Sequence, residues 1–261
     1  MKQSTFVVVL VVAALVVSFS IYRFILGNPS NFSDGENRER PLAGNLMGMV
    51  YTGGPIVPVL ICLSLMVFTF IVERTLSLRK AQGKGSLPMF LKNLQRNLST
   101  GEIDTAIAEC DKQRGSMASI IRAGLERYKI MSRDSKSLEA EKQMAEVQRA
   151  IEEATALEMP ILERNLIAMS TIASTATMFG LLGTVIGMIR AFAALAQAGA
   201  PDAVQLSIGI SEALINTALG IFAGIVGIIA YNFFINKVDN FTYMIDEASY
   251  DVLQTLMTKT K

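Results

Sequence analysis

Five polar residues stand in two otherwise apolar, glycine-rich stretches, and their types are those that could carry an ion. Thr177 and Thr184 lie in TMFGLLGTVIGMIRAF (Thr177–Phe192), and Glu212, Asn216 and Thr217 lie in GISEALINTALG (Gly209–Gly220). In hydrocarbon a polar side chain is tolerated mainly where it faces another helix or a water-filled path, so this placement predicts a conduit built between helices. Each threonine has a plainer use, a hydrogen bond to its own helix carbonyl one turn back. Glu212 is the only acid in the apolar interior of any span, with Glu73 at a boundary. It could reach toward head groups, pair locally with Arg190, or face the conduit. Asn216, one turn further on, favours a wet environment there. No span carries the acid chain or histidine relay of a self-sufficient proton pump, which places the ion-binding carboxylate on another subunit.

Small residues surround these polar ones at helical spacing. Ala173, Thr177, Gly180, Thr184, Gly187 and Ala191 recur at alternating steps of four and three, so they share one helix face. Ala213, Thr217, Gly220, Gly224 and Gly227 make a second such face. Gly183 with Gly187 and Gly220 with Gly224 each form a G-x-x-x-G pair, a common device for close packing in membranes. Gly180, Gly183, Gly187, Gly220 and Gly224 are therefore the predicted packing residues, and the small faces are the expected contacts between subunits of a closed homo-oligomer.

The elements that must position these residues are membrane spans. The chain of 261 residues is 51% hydrophobic with no Trp and no His, and its formal net charge of +1 conceals an uneven distribution. Four runs reach the roughly 20 apolar residues a bilayer requires. They divide the chain into a first span (1–27), an outer segment (28–54), a second span (55–78), an inner helical domain (79–160), a third span (161–197), an outer turn (198–205), a fourth span (206–236) and an inner C-terminal helix (237–261). The stretch from Glu73 to Arg164 holds 16 of the 24 Lys and Arg residues, and Arg74, Arg79, Lys80 and Lys84 directly adjoin a span. That bias predicts a cytoplasmic middle domain and both termini inside. The fold class expected is an all-α, multi-pass membrane protein, with a cytoplasmic helical bundle between the second and third spans.

Within the bundle, Ser99-Thr100-Gly101 and Gln113-Arg114-Gly115 are the expected helix breaks, with Ser99 or Thr100 capping the next helix. From Ser137 the chain lacks glycine until the third span and is rich in helix formers. A single helix from Leu138 to Ala196, bent at Pro160, is expected; a break at Pro160 into two helices is the alternative. Cys62 and Cys110 show neither disulfide pattern nor metal spacing, and no nucleotide loop or paired nucleophile and base occurs. The expectation is a protein that is not an enzyme and has no cofactor, metal or nucleic-acid partner.

At these residues the chain resembles the ExbB/TolQ/MotA proton-channel family, and ExbB and TolQ more than MotA. GLLGTVIGMIRAF (Gly180–Phe192), GISEALINTALG (Gly209–Gly220) and IVER (Ile71–Arg74) carry the likeness. It extends weakly through AIAECDKQRGSMASIIRAGLERY and LERNLIAMSTIA. The resemblance implies a homopentamer whose third and fourth spans line a pore around the transmembrane helices of an ExbD/TolR-like dimer. An aspartate of the partner then carries the proton past Thr184, Thr217 and Glu212, and a TonB-like protein transmits the motion to outer-membrane transport. The driving force is about 2.3 kcal/mol per charge for each 100 mV. Thr177 stands where many such chains have proline, and the first span gives four crossings where three are commonest; four is also the flagellar-stator number. TolQ-like, gliding or stator roles, sodium in place of protons, and a passive membrane scaffold are the other readings.

Overall fold

A backbone in hydrocarbon can bond only to itself, and the apolar runs accordingly fold as helices. The computed structural model describes residues 2–35, 38, 40–134, 140–197 and 203–260. Nine α-helices occur among them: α1 (Lys2–Ser20), α2 (Leu46–Tyr51), α3 (Val57–Gln82), α4 (Leu87–Thr100), α5 (Ile103–Gln113), α6 (Ser116–Asp134), α7 (Ala140–Leu162), α8 (Leu166–Gln197) and α9 (Ala203–Thr260). Among the described residues four helical stretches are long and apolar enough to cross a membrane, one each involving α1, α3, α8 and α9. Among the described residues, extended pairing is confined to one antiparallel bridge, Phe32 with Pro41. The chain divides into two compact units, residues 1–72 with 166–232 and residues 73–165 with 233–261.

In the first unit α1 widens into a π-helical turn over Ile21–Leu26 and stops at Gly27, whose N–H donates to Tyr22 O (2.9 Å). The carbonyls freed at that end are taken by the buried Asn31, whose Nδ2 donates to Ile25 O (2.9 Å) and Leu26 O (3.0 Å). Tyr22 stacks on Tyr51 at 4.6 Å between ring centroids, and Phe32 meets Tyr51 edge-on. Asn45 caps α2, accepting from Met47 and Gly48 N–H. The segment between the first two spans is thus tied to the end of the first. The expected turn 198–205 falls mostly on residues 198–202, which lie outside the described residues.

The second unit is a helical bundle with an apolar seam. Ile121 and Leu125 of α6 and Val147 and Ile151 of α7 are buried. Gly124 lets α7 approach, because a Cβ there would sit 2.6 Å from Ile151 Cγ1. Each buried Leu or Ile contributes about 2 kcal/mol. Exposed pairs such as Arg149–Glu153 (3.0 Å) contribute a few tenths, so the apolar seam holds the bundle.

Two local expectations are corrected. Ser99 and Thr100 cap no new helix: their hydroxyls bond back to Arg96 and Asn97 carbonyls and close α4, Gly101 turns at φ 85°, and Glu102 precedes α5. The helix expected from Leu138 to Ala196 is two helices, and the break is not at Pro160, which lies inside α7. The chain turns after Leu162, with Asn165 at φ 62°. Arg74 there explains the stop: its Nη1 donates to Leu162 O (3.1 Å), its Nε and Nη2 to Glu73 (2.7 and 2.6 Å), and Asn165 Nδ2 donates to Glu73 Oε2 (3.2 Å). At 1% exposure Arg74 is a structural brace rather than a free surface charge. The last helix, α9, runs 58 residues, about 87 Å, and carries both the expected fourth span and the expected C-terminal helix.

Candidate functional site

The small residues bring α8 and α9 together backbone to backbone within the first unit. A Cβ on Gly180 would lie 2.9 Å from Gly220 Cα, one on Gly220 2.6 Å from Gly180 Cα, and one on Gly187 2.7 Å from Ala213 N and Gly209 O. Gly183 and Gly224 are filled in the same way by Asn216 and by Thr177. These spacings exclude any side chain, which is why glycine recurs. They also define one antiparallel register: Ala173 beside Gly227, Gly180 beside Gly220, Gly187 beside Ala213 and Ala191 beside Gly209. The expectation that these faces meet between subunits is therefore corrected. Each small face is covered by the other within one chain, where small residues on both sides let the two backbones approach closely.

The register separates the predicted polar residues into two groups. At about 100° per residue, Thr177 and Thr184 fall on one edge of the α8 contact face and Thr217 falls on the matching edge of α9. Asn216, Glu212 and Arg190 fall on the opposite edge. The direct contacts agree: Thr177 lies against Gly224, whereas Asn216 lies against Gly183.

The threonine edge is open in a single chain. Thr177 is exposed, Thr184 and Thr217 are half-buried, and Leu181, Met188, Leu214 and Ile221 beside them are exposed. Each hydroxyl donates within its own helix, Thr177 to Ala173 O (3.2 Å), Thr184 to Leu181 O (2.5 Å) and Thr217 to Ala213 O (3.1 Å). The proton of each hydroxyl is thereby used, and its lone pairs remain free to accept from a protonated group passing by.

The other edge is covered by the residues leading into α3. Arg190 Nη1 donates to both Glu212 oxygens (2.6 and 2.8 Å), and Glu212 is 4% exposed. Gly54, at φ 75°, leaves room for this carboxylate, since a Cβ there would sit 2.6 Å from Glu212 Oε1. Asn216 is fully buried and its Nδ2 donates to Gly53 O (2.7 Å). Its Oδ1 is buried with no partner among the described residues. Of the roles open to Glu212 in the sequence, the geometry realises the pair with Arg190. Gly53 and Gly54 were not singled out, although a Gly-Gly-Pro run opening a span is a signal that could have found them.

The chain matches the model of the MotA/TolQ/ExbB proton channel family over residues 112–247, a little over half its length. It is 37% identical over 115 residues to the Tol-Pal system protein TolQ of Pseudomonas aeruginosa, covering 44% of this chain and 49% of that one. It is 36% identical over 85 residues to the biopolymer transport protein ExbB of Pseudomonas putida, covering 33% and 26% respectively. A putative ExbB homolog of Methanothermobacter thermautotrophicus aligns more extensively, 28% identical over 197 residues, 76% of this chain and 65% of that one. The chain thus spans between about a quarter and two thirds of these relatives. The matched region runs through α8 and most of α9 and so contains both edges of their seam. With four membrane-length helices and this match, the chain is a multi-pass membrane protein that belongs to the MotA/TolQ/ExbB proton channel family.

Proposed function

We propose that this chain is the ring-forming subunit of an ion-driven motor in a bacterial inner membrane, with its threonine edge turned toward the ion path. The observation that carries the reading is the uncovered row of Thr177, Thr184 and Thr217 beside a seam closed on its other side. In the proposed assembly five copies surround a dimer of an ExbD/TolR-like partner whose carboxylate takes up the ion. The threonines offer acceptors along the route, and Glu212 and Asn216 brace the pair from behind. The ion proposed is the proton, and the work proposed is ExbB-like, delivered through a TonB-like protein to outer-membrane transport. A TolQ-like role is the second reading, favoured by the identity with a TolQ protein. No catalytic chemistry enters either.

Thr184→Val with Thr217→Val tests the path, since valine keeps the shape and removes the hydroxyl. The double variant co-purifies its partner at the wild-type ratio, yet proteoliposomes holding the complex dissipate a pH gradient at least tenfold more slowly, a change worth about 1.4 kcal/mol in barrier height. Wild-type flux in that variant places the path elsewhere. Collapse of a sodium gradient in place of the pH gradient reassigns the ion.

A further inference from the structure

The helical unit holds a polar feature that the ion path does not use. The loop after α3 and the turn between α5 and α6 clasp each other backbone to backbone. Lys84 N–H donates to Gln113 O (2.6 Å), and Gln113 Nε2 donates to Gln82 O (3.0 Å). Gly83 at φ 83° presses on Arg114 O and Gly115 at φ 86° on Ala81 O, so neither position has room for a side chain. Arg114 between them holds φ 56° and ψ −178°, a conformation other residues rarely adopt unless their surroundings impose it.

This clasp walls a cleft of about 1070 Å³ lined by Lys80, Lys84, Arg114, Arg122 and Arg164 against only two acids, Asp111 and Glu158. Asp111 is occupied by Arg122 at 3.1 Å. Among the described residues Lys80, Lys84 and Arg114 have no ion pair, and Arg164 has none within 4 Å although its charge also acts on Glu73, so the cleft keeps a surplus of positive charge. Ser116 and Ser119 supply hydroxyls on the same wall. Lys80 lies in the last turn of α3, and Arg164 stands two residues before α8, so both adjoin membrane spans directly.

We propose that this cleft binds the phosphate oxyanion of an anionic phospholipid head group at the surface of the bilayer. Unpaired cations converging on a cavity fit a phosphate, and hydroxyls complete its hydrogen bonds. The lipid is the source because Lys80 and Arg164 on the cleft wall adjoin two spans in sequence, and at a span's end head groups are the most concentrated phosphate. Each Lys or Arg so placed strengthens binding by about fivefold.

The test uses the full chain in mixed micelles of phosphatidylcholine with increasing phosphatidylglycerol, reading retained lipid by native mass measurement. Lys84→Gln, Arg114→Gly and Arg164→Gln together remove three charges, and glycine suits the positive φ at 114. The half-saturating phosphatidylglycerol fraction is expected to rise about a hundredfold. A charge-matched control, Lys92→Gln with Lys112→Gln and Arg149→Gln, keeps wild-type retention. Should the triple variant fail to fold in phosphatidylcholine alone, Arg114→Gly by itself carries the test with about a fivefold loss. Equal retention in cleft variant and wild type, or an equal loss in the control, overturns the site. Displacement of phosphatidylglycerol by millimolar inorganic phosphate alone overturns the lipid as its source.

Discussion

A carboxylate gripped at both oxygens by one guanidinium nitrogen behaves differently from a threonine that has spent its proton on its own helix. Glu212 is buried against Gly54 and paired with Arg190, so removing Arg190 strands a carboxylate away from water, and removing Glu212 leaves a half-exposed guanidinium without its partner. That situation typically costs about 3–5 kcal/mol, whereas replacing both members by apolar residues is often nearly neutral. Arg190's side chain is 53% exposed, which brings the expected loss to or below the lower limit of this range. Arg190→Met and Glu212→Leu, made singly, are therefore expected to lower thermal stability in detergent by about 2–3 kcal/mol. The double variant is expected to recover most of it. Wild-type stability in both single variants would show that the pair braces nothing and return Glu212 to the ion path. The threonines are expected to show the opposite pattern, with full stability and impaired flux on change to valine.

At the scale of elements, the α8/α9 seam is the part of the fold most exposed to small changes. A methyl on Gly220 meets Gly180 Cα at 2.6 Å, and backbone cannot swing aside as a flexible side chain can. Gly220→Ala is thus expected to be strongly destabilising in spite of alanine's better helix propensity, which is worth only about 1 kcal/mol. Ala218→Leu, two residues away at an exposed position, is expected to be tolerated. Thermal unfolding of the two variants checks this, and because the seam lies within one chain, the effect should not depend on protein concentration. The stripe of small residues made this seam legible from sequence, and the apolar runs made the spans legible. What covers each stripe was not, because a four-and-three repeat states that a face is small and says nothing of its partner. The stop after Leu162 was hidden for a related reason. It depends on Arg74, 88 residues away in the chain, reaching a freed carbonyl, while Pro160, the local signal, sits harmlessly within α7. The Arg190–Glu212 pair could be anticipated as one choice among three, but its burial under Gly53 and Gly54 depends on a third segment that no spacing rule links to it.

For the whole molecule, the charge distribution and the two cysteines make the orientation in the membrane testable. Sixteen of the 24 Lys and Arg residues lie between Glu73 and Arg164, so the helical unit is expected on the cytoplasmic side and the segment after α1 on the outer side. Ser33 and Thr105 are both exposed and suit single-cysteine labelling. The native thiols give little background: Cys62 and Cys110 are buried, and burial pushes the Cys110 thiol up to about 12. Because a thiol reacts as its thiolate, Cys110 stays protonated and slow at any pH at which the cells survive. Cysteine at position 33 is expected to react with a membrane-impermeant maleimide in spheroplasts, and cysteine at 105 only after the membrane is opened. A chain assembled the other way round gives the reverse pattern. That result would put the basic cleft beside the outer leaflet and would turn the threonine edge through the membrane with it, leaving the seam intact while removing the proposed direction of the motor.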